Sequence, residues 1–438
     1  MSVQPTIGTR AQRLSRVPLT AAPSRAEIVD AAGAFTATLV ALSAFLGTYD
    51  GWGWLGSVAL ATAFGVVAGV VVARRSWSWV LGLPVLALIT ALVFPVLGLR
   101  GASSRGLPTP AAVADVSRTL VRGWRDLLTT LPPVDGSGPV LLLPFVLALG
   151  GAYAAMVLAR RSTAAFAPFA PAMVVGALAV LLGVPSPVGM LVRAILILVI
   201  LLAWGAARER RKVVSATGDA GRRMLAAVGV IVVAAGVAAA SAPLLSSTER
   251  TVWRDDVAAP VDLTNDPSPL AAFRSFRPGG AVTDTPLLDV TGLPAGVPLR
   301  LAVVDAYAGT VWAAGDASAT GAGTSAGFLR VGARIPQGAQ GPSATVTVQI
   351  ERGWATHPQL RVWVPTLGHD TGVAFSGPAA DARDEDLRYS PATGAAVATQ
   401  GLQAGDAYTI TAIIPAATDG AVHALTPANV ADARAPLA

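Results

Sequence analysis

Long apolar runs alternate with short basic segments over residues 1–245. An α-helix needs roughly 20 consecutive apolar residues to cross a bilayer. The runs that approach or exceed this length predict seven membrane spans, at residues 28–48, 54–73, 77–99, 138–159, 164–183, 188–206 and 224–245. A basic tail, residues 1–27, precedes them. The pattern therefore predicts a seven-span helical membrane domain over residues 28–245.

A few residues interrupt these apolar runs. Pro168 and Pro171 predict a kink or a late helix start in the fifth span, because proline lacks a backbone donor. Gly65 and Gly69 have the spacing that allows close helix packing, which we favour over a specific dimer. Arg193 is a charge within the sixth span and therefore a candidate functional residue. The interpretation we favour is that its long side chain reaches the headgroups or the loop carbonyls.

The loop between the third and fourth spans, residues 100–137, contains an amphipathic segment. Its apolar residues recur at spacings of three and four, as on one face of a helix. They are Val113, Val116, Leu120, Val121, Trp124, Leu127, Leu128 and Leu131. We expect a helix over residues 110–131 that lies on the outer membrane surface. The alternative is a lid or a docking face for the domain that follows.

Basic residues follow the second, fourth and sixth spans: Arg74 and Arg75, Arg160 and Arg161, and the cations of residues 206–223. Lys and Arg are retained on the cytoplasmic side of a membrane. We therefore expect the amino terminus in the cytoplasm and residues 246–438 outside it. Trp52 and Trp54, just after the first span, are expected at the outer membrane interface.

After the seventh span the apolar pattern changes to a period of two, which is typical of half-buried strands. Residues 246–283 predict a proline-rich connector, 284–416 an all-β extracytoplasmic domain, and 417–438 a linker or truncated end. The domain is expected to be a sandwich or a barrel. Its predicted strands lie at residues 299–303, 346–351 and 408–414, with a hairpin at 387–389 and 395–399.

Composition supports the membrane class. The chain is 53% hydrophobic and only 13% charged, with a mean hydropathy of +0.58, which excludes an ordinary soluble protein. The net charge of +6 divides unevenly: residues 1–245 carry 20 basic and 8 acidic residues, and residues 246–438 carry 12 and 18. The basic excess therefore indicates topology, and no nucleic-acid partner is expected. The bilayer is the predicted partner, with a cell-envelope protein or wall polymer as a further candidate.

Candidate chemistry is sparse. The chain has no cysteine, which excludes disulfides, thiolate metal sites and a cysteine nucleophile in these residues. The three histidines are scattered without metal-ligand spacing: His357, His369 and His423. An acidic run, Asp381, Asp384, Glu385 and Asp386, indicates a solvated loop rather than a cation site. We therefore predict no catalytic residue, no cofactor site and no metal site.

Four segments of the outer half carry a family resemblance: DTPLLDVTG (residues 284–292), LRLAVVDAYAGTVW (299–312), RVWVPTLG (361–368) and LRYSPATG (387–394). The second is the most specific, through Leu299, Arg300, Asp305, Tyr307, Gly309 and Trp312. Together with the predicted topology, the chain resembles the bacterial membrane-anchored transglutaminase-like proteins of the TgpA type, which are common in actinobacteria. Ala308 departs from the acidic residue that the family often has there.

The resemblance implies a membrane platform for a papain-like transglutaminase core acting at the outer membrane face. In the family that core carries a Cys, His and Asp triad, and no part of it is visible in these residues. No family catalytic residue can therefore be assigned here, and enzymatic activity is left open. We expect a truncated product or a degenerate member. The alternative is a non-enzymatic envelope-binding or scaffold protein, whereas nearly charge-free spans disfavour a transporter.

Overall fold

The computed structural model describes most of the membrane half and the core of the carboxy-terminal half, which we call the outer half after its predicted location. The described residues are 18, 20–98, 103–104, 107–164, 166–184, 189–213, 253, 269–280, 282–304, 306–307, 312–313, 327–391 and 393–415. The basic tail, the predicted seventh span at 224–245, most of the connector and residues 417–438 lie outside them.

The described part of the membrane half contains seven α-helices: α1 (Arg25–Leu42), α2 (Gly53–Arg74), α3 (Gly82–Gly98), α4 (Pro110–Leu128), α5 (Leu142–Arg161), α6 (Phe169–Leu182) and α7 (Met190–Val213). Among the described residues, five helical stretches are long and apolar enough to cross a membrane. They are Arg25–Phe45, Gly53–Arg74, Trp79–Leu97, Pro139–Arg161 and Leu191–Arg211. These correspond to the first four predicted spans and the sixth.

The fifth predicted span is shorter in the structure than in the sequence pattern. Its helix, α6, begins at Phe169 directly after Pro168, so the late start expected from the prolines is confirmed. With 14 residues, α6 is about 21 Å long at the usual rise per residue, which is less than the roughly 30 Å of a hydrocarbon core. By length and composition, α6 does not qualify as a span on its own.

Helix α5 lies at the centre of the bundle, where it packs against α1, α2 and α6. Two glycines bring α2 close to it. A methyl group added at Gly65 would overlap the carbonyl oxygen of Leu149, and one added at Gly69 would lie 2.7 Å from Cβ of Met156. The interpretation of these glycines as packing residues is confirmed.

The structure corrects the prediction for one of the two tryptophans at the first outer turn. Trp52 is exposed, as expected for an interfacial residue, but Trp54 is fully buried in the bundle core. Its ring lies 5.4 Å from the ring of Tyr49, which in turn packs edge-on against Phe45. The first turn of α2 thus directs Trp54 into the bundle. The prediction for Trp54 was wrong because closeness to Trp52 in the sequence does not show which way a side chain points.

The predicted amphipathic helix is confirmed over Pro110–Leu128, but residues 129–131, which the prediction included, lie beyond its end. The apolar residues of α4 divide into two groups. Val116, Leu127 and Leu128 are buried against the bundle, where α4 packs on α3 and α5. Leu120 and Val121 are exposed. The helix therefore covers the bundle with one edge of its apolar face and leaves the other edge open.

The outer half is a two-layer β-sandwich. The strands among the described residues of the chain are β1 (Ser103–Ser104), β2 (Leu107–Pro108), β3 (Leu288–Thr291), β4 (Ala306–Tyr307), β5 (Trp312–Ala313), β6 (Leu329–Arg330), β7 (Ser343–Ile350), β8 (Trp363–Val364), β9 (Asp370–Ser376), β10 (Leu387–Ser390), β11 (Ala395–Ala398) and β12 (Ala407–Ile413). One sheet has the order β3-β7-β12-β9 and the other β6-β10-β11-β8, all antiparallel. The pairs β1-β2 and β4-β5 are separate two-stranded ribbons.

Alternating side chains of the two sheets form one hydrophobic core. Val346 and Val348 of β7 and Ile410 of β12 are fully buried, together with Tyr389 and Val397 from the other sheet. In β7 and β12 the buried residues alternate with exposed or half-buried ones, which is why the sequence period of two identified them. The two four-stranded sheets thus pack face to face as a sandwich, and not as a closed barrel.

The structure agrees with some predicted strands and not with others. The hairpin of β10 and β11 is confirmed, with Gly394 in its turn at φ 69°. The predicted strand at 299–303 is wrong, because Arg300 makes only an isolated antiparallel bridge to Thr366. Within the predicted connector, a 3-10 turn at Pro269–Phe276 places Ala272 in the sandwich core.

We expect Gly65→Ala to lower the free energy of unfolding by about 1–3 kcal/mol, because the added methyl group would push α2 away from α5. Gly56→Ala is the matched control on the same helix, since open space surrounds that position. The control is expected to be neutral or slightly stabilising, because alanine favours helix. Thermal unfolding of the detergent-solubilised protein measures both, and equal midpoints would contradict close packing at Gly65.

Candidate functional site

The two ends of the helical bundle differ in chemistry. Eight arginines cluster where α1 begins and where α2, α5 and α7 end: Arg25, Arg74, Arg75, Arg160, Arg161, Arg208, Arg210 and Arg211. The opposite end carries the turn between α1 and α2 and the loop that follows α4. The β-sandwich contacts the bundle at this second end.

A short non-helical segment after α4, Thr129–Val134, joins the two halves; we call it the bridging segment. On one side it pairs with the turn before α2. The N–H of Val134 donates to the carbonyl of Thr48 at 2.7 Å, and the N–H of Asp50 donates to the carbonyl of Val134 at 2.8 Å. The segment is therefore tied to the bundle through its backbone.

On its other side the bridging segment pairs with the sandwich. The N–H of Leu131 donates to the carbonyl of Arg330 at 2.8 Å, and the N–H of Arg330 donates to Thr129 at 3.0 Å. The N–H of Ala333 donates to Pro133 at 2.8 Å. Because Arg330 ends β6, this pairing adds the bridging segment to the edge of one sheet of the sandwich.

Two side-chain features make this junction close. Leu131 is only 6% exposed and belongs to the same buried cluster as Phe328 and Leu329 of the sandwich. A methyl group added at Gly332 would overlap the carbonyl oxygens of Leu131 and Pro133, so a larger residue does not fit there. The membrane half thus contributes a residue to the hydrophobic core of the outer half.

Ion pairs surround the junction but are largely exposed. Arg330 lies 2.9 Å from Glu385 and 3.9 Å from Asp126, and Arg334 lies 3.4 Å from Asp50. Exposed ion pairs of this kind contribute about 0–1 kcal/mol each. The backbone pairing and the burial of Leu131 therefore account for most of the attachment.

A buried charge network lies at the arginine-rich end of the bundle, and its centre is Asp30. This carboxylate is only 2% exposed. It accepts a hydrogen bond from the indole of Trp204 at 3.0 Å, and it pairs with Arg208 at 3.1 Å and Arg211 at 2.9 Å. The three partners are spaced four and three residues apart, so they share one face of α7.

The network extends to the other central helices. The guanidinium of Arg74 donates to both carboxylate oxygens of Glu27, at 2.9 and 2.7 Å. The guanidinium of Arg208 also donates to the carbonyl of Ala159 at 2.8 Å, at the end of α5. These contacts link α1, α2, α5 and α7 through charges that are almost completely removed from solvent.

Sequence reasoning missed Asp30, although the residue lies inside the predicted first span. The available signal was a carboxylate within the first turns of an apolar run, on the side of the membrane where arginines gather. Arg193, which sequence reasoning did single out, lies near the start of α7. Among the described residues no carboxylate lies within ion-pair distance of it, so its partner in the headgroup region stays a prediction.

The histidines do not form a catalytic group with the described residues. Nε2 of His357 lies 3.2 Å from Oγ of Ser275, which donates its hydrogen to the carbonyl of Ala272 at 2.5 Å. With its hydrogen on the carbonyl of Ala272, the Ser275 oxygen accepts from the imidazole, and this contact packs the 3-10 helix against the residues after β7. His369 is exposed, and His423 lies outside the described residues.

The acidic run is a short helix and not a solvated loop. Residues Ala380–Asp386 are helical, and Asp386 is buried. Asp384 accepts from the N–H of Phe375 at 2.8 Å, and Asp386 accepts from the N–H of Gln400 at 2.9 Å. The carboxylates point to separate partners, and within the described ranges no group of three potential ligands converges on a metal site.

Arg300 gathers three of the segments that carry the family resemblance. Its backbone pairs with Thr366 at 2.8 and 2.9 Å, and its guanidinium donates to the carbonyl of Thr393 at 3.0 Å. Gly368 and Gly394 lie against the same guanidinium. Of the other resemblance residues, Tyr307 and Trp312 occupy paired positions in β4 and β5, whereas Asp305 and Gly309 lie outside the described residues.

Asp370, adjacent to this corner, is a buried structural carboxylate. It accepts from the N–H groups of Leu367 at 2.9 Å and Gly368 at 3.3 Å. Burial nevertheless raises the pKa of Asp370 above its usual value. Burial also raises the pKa of Tyr389 to about 12. Asp370 thus fixes the loop that precedes β9.

Comparison of the chain with protein-family models, with curated proteins and with solved structures finds no match.

We expect Asp30→Asn to lower the free energy of unfolding by about 3–5 kcal/mol, because it leaves buried Arg208 without its counter-ion. Asp115→Asn is the control, since Asp115 forms an exposed pair with Arg118 and should have an effect below about 1 kcal/mol. Thermal unfolding in detergent measures both variants. An Asp30→Asn protein as stable as the control would show that the network is not structural.

Burial lowers the pKa of His357, which predicts a pH dependence of stability. The unfolded chain takes up the proton at the higher pKa, so this contribution is complete above roughly pH 6.5 and is lost as the pH falls below it. We expect His357→Gln to reduce the loss of thermal stability between pH 7 and pH 5. His369→Gln is the control, and an identical pH profile for all three proteins would contradict the prediction.

Proposed function

We propose that this protein is a membrane platform that holds an extracytoplasmic β-sandwich against the outer end of its helical bundle. In line with its resemblance, we infer that it is the platform of a transglutaminase-like protein of the TgpA type. The observation that carries the proposal is the bridging segment, Thr129–Val134, whose two edges hydrogen-bond to the bundle and to the sandwich. A tether of flexible chain alone would not need such pairing.

Charge supports the orientation of this platform. The arginines that end α2, α5 and α7 gather at one end of the bundle, and such residues are retained in the cytoplasm. The sandwich contacts the opposite end, through the bridging segment and the pair of Asp50 and Arg334. The same rule therefore supports a position of the sandwich outside the cytoplasm.

The corner around Arg300 supports the inferred relationship. Three resemblance segments, separated by up to 94 positions from Arg300 to Gly394, meet at this one residue. In the family the papain-like core follows such a β-rich segment. A sandwich fixed to the bundle would hold that core at a set distance from the outer membrane surface. Substrates would then have to lie at that distance to reach the core. The inferred role of the described residues is thus positioning rather than catalysis.

The attachment is tested by cross-linking, because the chain has no cysteine to interfere. In an Asp50→Cys, Arg334→Cys protein, a short bismaleimide is expected to join the two halves, detected after cleavage at a protease site inserted between residues 254 and 268. Adding Leu131→Asp should reduce the joined product severalfold, because it removes the buried anchor. Leu120→Asp, at an exposed position of α4, is the control and should leave cross-linking unchanged.

Equal cross-linking with Leu131→Asp and Leu120→Asp would contradict the attachment. Orientation is tested separately with single cysteines at exposed His369 and Arg160. A membrane-impermeant maleimide on intact cells is expected to label His369→Cys and not Arg160→Cys, and the reverse result would overturn the orientation. The transglutaminase-like part requires an open frame after codon 438 that encodes a Cys, His and Asp core, and a frame without it would refute that part alone.

A further inference from the structure

A groove opens between α1 and α7 at the arginine-rich end of the bundle, with a volume of about 670 Å³. Arg25 and Val29 of α1 line one wall, and Ala203, Ala207 and Arg210 line the other, with Arg211 beside them. The volume is in the range of sites that bind small organic ligands, roughly 300–1,000 Å³. The proposed platform role does not use this groove.

The chemistry of the groove changes along the helices. On α7 the alanines are one turn apart, and Arg210 lies nearly one turn further towards the end of the helix. On α1 the cation is likewise at the end of the bundle: Arg25 begins the helix, and Val29 lies one turn further towards the middle of the bundle. Since both arginines are near helix ends, the groove is cationic at the end of the bundle and apolar towards its middle.

The cationic end is not neutralised by the described residues. Asp30 is already engaged by Arg208 and Arg211. Within the described part of the chain, no carboxylate pairs with Arg25 or Arg210. Arg211 uses Nη1 to hold Asp30, whereas its Nη2 is buried without a hydrogen-bond partner in that same part of the chain. Together with the guanidinium groups of Arg25 and Arg210, this donor makes the end of the groove suited to an anionic ligand.

We propose that this groove binds an anionic phospholipid, with its phosphate at Arg25, Arg210 and Arg211 and an acyl chain along Val29 and the alanines. Guanidinium groups form strong, often bidentate hydrogen bonds to phosphate. Basic pockets between membrane helices on the cytoplasmic side bind anionic headgroups. The apolar part of the groove favours a lipid over inorganic phosphate, which would leave that surface uncovered.

The test uses the full-length protein, delipidated in a neutral detergent and titrated with phosphatidylglycerol, phosphatidylcholine or inorganic phosphate. Binding is read by native mass spectrometry and by the shift in the unfolding midpoint. We expect phosphatidylglycerol to bind and stabilise the protein more than the other two. An Arg25→Gln, Arg210→Gln protein is expected to bind it roughly thirtyfold more weakly, because two charged contacts are lost.

An Arg75→Gln, Arg160→Gln protein is the matched control, since it removes two exposed arginines from the same end of the bundle but outside the groove. It should retain wild-type binding. Ala203→Leu is a second variant that keeps every charge and fills the apolar wall, and it should also weaken binding severalfold. This variant keeps the test valid if the double arginine variant does not fold.

Three results would overturn the proposal. If the groove variant and the control variant bind phosphatidylglycerol equally weakly, binding depends on the general positive charge of this end and not on the groove. Stabilisation by inorganic phosphate equal to that by phosphatidylglycerol would assign the site to free phosphate. A protein whose stability depends on the groove arginines but not on lipid composition would indicate that another part of the chain occupies the groove.

Discussion

Backbone pairing on both edges of the bridging segment is the constraint on which the relation of the two halves depends. A strand edge has unpaired N–H and carbonyl groups that must find partners when buried. Here one edge is satisfied by the turn before α2 and the other by residues next to β6. Each of these hydrogen bonds needs one particular donor opposite one particular acceptor. The pairing therefore fixes where the sandwich lies on the bundle and also attaches it there. Leu131 adds an apolar contact with the buried core of the sandwich.

The opposite end of the bundle is organised by buried charge. Asp30 and Glu27 of α1 hold arginines from α7 and α2, so the start of one helix fixes the ends of two others. A charge inside a membrane protein is costly unless it is paired. The pairing of Asp30 also leaves one nitrogen of Arg211 without a described partner, next to an apolar groove. Structural pairing and the proposed lipid site therefore share one residue.

These two constraints act at opposite ends of the bundle. The arginine-rich end is fixed by ion pairs among helices and borders the proposed phospholipid. The other end is fixed mainly by backbone hydrogen bonds and one buried leucine, and it carries the sandwich. Close packing of α2 on α5 through Gly65 and Gly69 connects the ends and keeps the bundle compact. In the proposed role, this rigid connection is what would hold an outer domain at a fixed place above the bilayer.

The sequence by itself determined the features that depend on neighbouring residues. The length of the apolar runs located the five described helices that are long enough to cross a membrane. Pro168 located the start of α6, and a period of two located β7 and β12. Only the tertiary structure decided that Trp54 is buried, that residues 299–303 form no strand, and that Leu131 enters the sandwich core. It also revealed the partners of Asp30, which lie more than 170 positions away. Such contacts join elements distant in the chain, and no local pattern records which of many possible partners a side chain will meet.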